Sequence, residues 1–402
     1  MADLRFGTDG PDTLTAGTEE AIFFGFGGDD SLTGSPEADF LFGNEGNDTV
    51  NGGAGDDLLD SGTGDDTVNT GAGDDLVFAD AGSDSIGGMA GNDTVFGGRG
   101  NDFIAWNDPT GDLVFGDEDN DTIIGGNVAA DTIFGGSGND SIQAFATAPA
   151  DATAADEISG DDGDDTLLGG DAADTVSGGA GADSIVGNGG NDELDGGDGN
   201  DNINTGAGKD LVYAGAGEDT VGGMAGSDTV YGGDGGDFIA WNDPTGDLVY
   251  GDGGNDSIIG GNVAADTIFG GSGDDLIRAF ATDPEAATAA DELSGDGGDD
   301  VLLGGNADDT VEGGADDDTM TGNDGADVFV FRADETTGDD VITDFSPADD
   351  TVRLVGFGDG FDPLENLDQT EQGTVLDLGD GDQVLFLGRL ANEFTAGDFD
   401  LV

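Results

Sequence analysis

The chain of 402 residues contains no cysteine and no histidine. The first absence excludes disulfides and thiol chemistry. The second removes the commonest general base and transition-metal ligand. Basic residues are nearly missing too: Lys and Arg number 7 against 91 Asp and Glu, for a net charge of -84. Such a surface repels nucleic acid and anionic membranes, so neither is an expected partner. No apolar run is long enough to span a bilayer. The opening Met1-Ala2-Asp3-Leu4-Arg5-Phe6 lacks the basic and apolar regions of a cleaved signal peptide, so any export signal is expected elsewhere.

The abundant residues are Asp and Gly, the latter 81 in number. Self-repulsion and backbone entropy on this scale would by themselves leave the chain disordered. The order in which the residues come argues otherwise. A nine-residue unit, G-G-x-G-x-D-x-U-x with U apolar, runs from Asp12 to Asp327 in 34 copies, counting one in which Ala21 replaces Asp. Clean copies are Gly97-Gly98-Arg99-Gly100-Asn101-Asp102-Phe103-Ile104 and Gly196-Gly197-Asp198-Gly199-Asn200-Asp201-Asn202-Ile203. The U positions Val50, Leu59, Val68, Val77, Ile86, Val95 and Ile104 follow without a miss. A disordered chain has no need of that regularity.

Six residues of each unit can turn and three can form a strand whose U residue faces one side. Strands so short need stacking. Two units per coil would place each strand on the one 18 residues away and bury U between two sheets, giving an all-β parallel β-roll, a two-sheet solenoid with 18 residues per coil. Glycines at the turns allow positive φ and inward carbonyls. Carbonyls and Asp carboxylates between stacked turns form a flexible cage of hard oxygens, which suits Ca2+ better than Mg2+. The gaps of 17 coils set an upper bound of about 32 ions, whose charge would cancel most of the excess.

The nonapeptide resembles the calcium-binding repeat of RTX proteins, the hemolysin-type family exported by bacterial type I secretion. The resemblance implies a roll that stays unfolded where calcium is scarce and folds outside the cell. It also implies calcium ligation by Asp48, Asp57, Asp66, Asp75, Asp84, Asp93, Asp102, Asp121, Asp140, Asp165 and Asp183. In the later part of the chain it adds Asp192, Asp201, Asp210, Asp219, Asp228, Asp237, Asp256, Asp275, Asp300 and Asp318. The pattern departs at Asp112, Asp131, Asp156, Asp247, Asp266 and Asp291, where preceding glycines are lost.

A longer repeat lies over the short one. Ala105-Trp106-Asn107-Asp108-Pro109-Thr110-Gly111-Asp112 recurs 135 residues later as Ala240-Trp241-Asn242-Asp243-Pro244-Thr245-Gly246-Asp247. The duplicated segments are about 71–205 and 206–322, within a roll spanning 1–327. Irregular turns fall on alternate units, so one edge is expected to carry a continuous calcium ladder. The other is expected to be interrupted by Trp106, Trp241 and loops at 141–155 and 276–290. Outward positions on one set of strands read Phe78, Phe96, Phe115, Phe134 and then Tyr213, Tyr231, Tyr250, Phe269. With Trp106 and Trp241 these form a candidate interaction face, unless the insertions cover them or the indoles merely close longer turns.

After Asp327 the nonapeptides stop. Val328–Phe331, Asp340–Phe345 and Asp350–Leu354 are expected to be strands of a C-terminal β cap over 328–402. The acidic-then-apolar ending Asp398-Phe399-Asp400-Leu401-Val402 resembles the family's uncleaved export signal. Carboxylates are everywhere, so no pair marks a catalytic site. The expected function is a secreted or cell-surface, non-enzymatic calcium-binding protein with a structural, adhesive or self-assembling role. Its expected partners are calcium, the type I secretion machinery, a second copy of itself in a homo-oligomer or filament, or a surface glycan. The alternatives are a protein that binds or modifies extracellular polysaccharide and an ice-binding protein.

Overall fold

The computed structural model describes residues 2–281, 288–358 and 360–402. They form two compact units, Met1–Gly206 and Ala207–Val402. Each is a parallel β-roll built from two sheets. The chain alternates between a first sheet (for example Thr94–Arg99 and Leu113–Glu118) and a second (Phe103–Ala105 and Thr122–Ile124). Crossings from first to second sheet make the first edge of the roll; return crossings make the second edge.

In the first unit, strands pair with those one coil away, and the U residues set the register. Val50 lies opposite Val68 and Val68 opposite Ile86. The regular offset is 18 residues, rising to 19 past the Trp106 loop and to 25 past the 141–155 insertion. The pairs Val95–Val114, Ile133–Ile158 and Ile142–Leu167 nevertheless stay aligned. A slip of one residue would turn U outward, so burial holds the register while loops absorb the insertions. Val50, Leu59, Val77, Val95 and Ile104 are wholly buried between the sheets. Truncating one of them, Ile104→Ala, is expected to cost about 2–5 kcal/mol. Denaturant unfolding in saturating calcium would measure this.

At the start of this unit Arg5 occupies the U position opposite Phe23. Its guanidinium lies over that ring, 5.4 Å from the centroid, and is paired with Asp3. A cation thus covers the core end that a hydrophobe would leave exposed.

The second unit repeats the scheme. Val212, Val230, Val249, Ile268, Leu293 and Val311 line up in its first sheet, and Val221, Ile239, Ile258, Ile277, Leu302 and Met320 in its second. The 276–290 loop begins as the strand Leu276–Arg278, and its residues 282–287 lie outside the described residues. Parallel stacking continues beyond Asp327. Val328–Arg332, Asp339–Ile342 and Thr351–Val355 add to the two sheets, and Asp340 and Asp350 accept hydrogen bonds from the N–H groups of Asp318 and Asp327. The cap proper begins after these strands. Asp382–Leu387 pairs with Asp339–Ile342, and Gly373–Gly379 returns antiparallel beside it. Phe345, Phe386 and Phe394 close the end, with Phe345 and Phe386 ring centres 5.0 Å apart, edge to face.

Candidate metal centre

Two residues of each regular turn, four and two before the aspartate, have positive φ. Before Asp102 they are Gly98 (106°) and Gly100 (113°). Asn44 (77°), Asp117 (79°) and Asp119 (78°) fill such places elsewhere, since Asn and Asp tolerate this region best among residues with a Cβ. Phe26, at 78°, is the bulky exception. The glycine five before the aspartate answers to close approach. A Cβ on Gly97 would lie 2.5 Å from Asp102 Oδ2 and 2.7 Å from the carbonyl oxygen of Gly116 in the next coil. On Gly232 it would lie 2.6 Å from both Asp237 Oδ2 and the Gly251 carbonyl. A carboxylate oxygen of one coil and a main-chain oxygen of the next thus converge on one gap. Ser61, Thr70 and Ala79 hold that glycine place in three successive turns, and the Ser61 and Thr70 hydroxyls lie beside Asp66 and Asp75.

The two oxygens of each aspartate have different tasks. Oδ1 accepts the backbone N–H of the aspartate one coil earlier: Asp48 donates to Asp66 at 2.6 Å, Asp84 to Asp102 at 2.8 Å, Asp237 to Asp256 at 2.7 Å. This half of the carboxylate is structural, a role absent from a purely ligand-based reading. On the first edge, Oδ2 of Asp30, Asp48, Asp84, Asp102, Asp121, Asp140, Asp165 and Asp183 is buried with no hydrogen-bond partner. In the second unit the same holds for Asp237, Asp256, Asp275, Asp300 and Asp318. Asp201 and Asp219 are buried in equivalent places of this edge, and Asp192 and Asp210 on the second edge.

The second edge is mixed. Asp57, Asp93, Asp112, Asp228 and Asp247 keep a buried, unpartnered Oδ2. Others are satisfied by their own turn. Asp174 Oδ2 accepts Gly170 N–H at 2.6 Å, Asp309 accepts Gly305 at 2.6 Å, and Asp39 accepts Ser35 at 2.5 Å. Asp131 and Asp266 accept Gly126 and Gly261 at 3.3 and 3.2 Å. These turns close on a backbone donor in place of a cation.

A stack of buried carboxylates is unfavourable by itself. Burial first, and neighbouring carboxylates after it, push Asp48 up to about 6, Asp57 and Asp84 to about 7, and Asp121 and Asp300 to about 8. Among the described residues no three His, Cys, Asp or Glu side chains gather around one point. Each gap therefore offers one or two carboxylates completed by carbonyls, an all-oxygen set that fits a large, hard divalent cation.

A family model described as the RTX calcium-binding nonapeptide repeat matches residues 6–35, 24–59, 33–68, 52–86, 69–104, 126–146, 153–185, 186–221, 206–239, 245–264, 261–283 and 294–329. The chain belongs to this family. It is an RTX calcium-binding repeat protein with the β-roll fold. No curated protein matches it. Among solved structures, extracellular lipase LipA from Serratia marcescens is similar at 17% identity and a TM-score of 0.29, over 67% of this chain and 45% of the lipase. This RTX chain thus spans less than half of that enzyme's length, and the likeness carries no inference about activity.

The aromatic residues of the RTX roll form stacks on the outer side of the first sheet. Rings of Phe78, Phe96, Phe115 and Phe134 follow at 5.2, 4.9 and 5.0 Å, nearly parallel. Tyr213, Tyr231, Tyr250 and Phe269 follow at 5.3, 5.0 and 5.0 Å. A third stack, Phe6, Phe24 and Phe42, was not anticipated, although the same outward spacing marks it in the sequence. The rings are half-buried, with Phe6 and Tyr213 exposed. A cleft of about 600 Å³ runs beside Phe115 and Phe134, bounded by Asp80, Asp117, Asp161 and Arg99. The 141–155 insertion hydrogen-bonds along the second edge, Thr153 to Asn127 and Asp171 to Pro149. Trp106 and Trp241 lie apart from the stacks, each buried at 5% exposure. The Trp106 ring lies over Gly125 and Gly126 of the next loop and beside Asp131.

A further device is legible in the sequence once its purpose is known. The residue before each aspartate is often Asn or Asp, and its side chain accepts an N–H from the next coil. Asp65 N–H donates to Asn47 Oδ1 at 3.1 Å and Asn139 N–H to Asn120 Oδ1 at 2.7 Å. Where Asn or Asp stands in that place, paired Asx ladders of opposite sense border the gap.

Proposed function

We propose that this RTX protein is secreted, is not an enzyme, and acts outside the cell as a calcium-assembled structural or adhesive element. The single observation that carries the calcium half is the column of buried, unpartnered Oδ2 atoms on the first edge. A folded chain can keep it at neutral pH only with cations in the gaps. Calcium-poor cytoplasm then keeps the chain extended for the type I machinery, and external calcium drives folding by mass action. The aspartates named from the sequence are the proposed ligands, together with Asp30. Equilibrium dialysis against calcium tests this; a chain that retains no ions at millimolar calcium would sink it.

The aromatic stacks support the second half, association with further copies through the first-sheet face. Stacked rings spend their faces on one another and present edges outward, which favours packing against another apolar surface over cradling a sugar ring. Replacing Phe96, Phe115, Tyr231 and Tyr250 together by Ser is expected to abolish calcium-dependent association in sedimentation velocity while calcium-induced folding survives. Loss of folding instead would assign the stacks to the stability of the roll.

A further inference from the structure

The Trp-Asn-Asp-Pro-Thr-Gly-Asp loops depart from the nonapeptide pattern: the family matches skip residues 105–125 and 240–244, which hold Asp108, Asp112 and Asp243, and resume at Thr245. They still contain buried carboxylate oxygens that have no hydrogen-bond partner among the described residues. Asp108 is anchored through Oδ2, which accepts Gly91 N–H at 3.1 Å from the preceding turn of the same edge and is bonded by the Thr110 hydroxyl. Thr110 Oγ1 also lies 2.9 Å from the Gly91 carbonyl oxygen, so its single proton serves one of these two acceptors at a time. This clamp leaves Asp108 Oδ1 buried without a partner. Asp93 and Asp112, both electrostatic neighbours of Asp108, are 2% and 5% exposed and each keeps an unpartnered buried Oδ2.

The second loop reproduces the arrangement. Gly226 N–H donates to Asp243 Oδ2 at 3.0 Å, Thr245 bonds Asp243 and the Gly226 carbonyl, and Asp243 Oδ1, Asp247 Oδ2 and Asp228 Oδ2 are left buried and unpartnered. On the far side of each loop the gap is used differently. The indoles of Trp106 and Trp241 lie over Gly125–Gly126 and Gly260–Gly261, beside Asp131 and Asp266, whose Oδ2 atoms already accept backbone N–H groups. One gap is filled by a ring; the other retains oxygens facing no donor.

We infer that each of these loops builds a divalent-cation site of its own, held by Asp108 with Asp112 in the first copy and by Asp243 with Asp247 in the second, in addition to the nonapeptide sites. Two carboxylates supply the charge; backbone carbonyls and water complete an oxygen shell of the kind calcium accepts. The Asp-Pro-Thr turn sets Asp108 by fixing the backbone and supplying the clamping hydroxyl. This site does not depend on glycines at the consensus places, which the loops lack.

The chain has 2 tryptophans, one in each loop, so terbium emission excited through tryptophan reports cations bound close to these two loops. Wild-type protein is expected to give strong tryptophan-sensitised terbium emission, displaced by calcium. The double variant Asp108→Asn, Asp243→Asn is expected to lose it several-fold and to bind two fewer ions, with its calcium-induced circular dichroism unchanged. Sensitised emission equal to wild type in that variant would overturn the inference. So would its absence from a wild-type chain that folds with calcium, an outcome that leaves the nonapeptide sites standing. Should Asn at these places prevent folding, Thr110→Val with Thr245→Val, which frees the clamp and keeps both carboxylates, is expected to weaken terbium binding without abolishing it; unchanged affinity would count against the clamp.

Discussion

In excess chelator at neutral pH the strand signal of the chain is expected to collapse, and acidification alone to about pH 5 is expected to bring part of it back. The unfolded aspartates titrate near 3.8, whereas burial lifts the folded ones to about 6 at Asp48, about 7 at Asp84 and about 8 at Asp121. The folded, ion-free form therefore holds more protons than the unfolded chain between these limits. The stability supplied by protonation is complete below about pH 4 and is lost as pH rises through about 6 to 8. Calcium acts in the opposite range, because its ligands must be ionised. Circular dichroism across pH, with and without calcium, should show two routes to one fold: protons at low pH, cations at neutral pH. A strand signal in chelator that does not change from pH 5 to pH 8 would sink the account of the gaps.

At a single first-edge position, asparagine and alanine are expected to act with opposite sign on the ion-free protein. Asp102→Asn keeps an oxygen to accept the Asp84 N–H, now held at 2.8 Å, and removes a buried charge. It should weaken calcium binding and ease ion-free folding at neutral pH. Asp102→Ala removes both oxygens and strands the Asp84 N–H inside the roll, a cost of about 1–3 kcal/mol whether or not calcium is present. Asp174→Ala is the comparison on the second edge. Its Oδ2 is already engaged by Gly170 N–H at 2.6 Å, so the variant should lose stability with no change in the number of ions bound. Chemical denaturation combined with calorimetric ion counting separates the three. Equal loss of ions from Asp102→Ala and Asp174→Ala would show that the backbone cap does not replace a cation.

The sequence by itself determined the roll, its coil length and its chemistry. An apolar residue every ninth place has one economical burial, between two sheets of stacked short strands. A chain of oxygen donors without Cys or His admits only a hard cation. What the sequence could not determine is which oxygens remain for that cation, because Asp102 and Asp174 stand in the same place of the same unit. Only tertiary structure decides that Gly170 turns its N–H onto Asp174 Oδ2 while no donor among the described residues reaches Asp102 Oδ2. It likewise decides that Asp112, in a loop stripped of consensus glycines, keeps an unsatisfied oxygen, and that both indoles lie inside the second edge. The physical reason is that a repeat motif encodes each residue's place along one coil. Whether a carboxylate is satisfied depends on backbone donors of its own turn and of the neighbouring coil, and local loop geometry sets their direction.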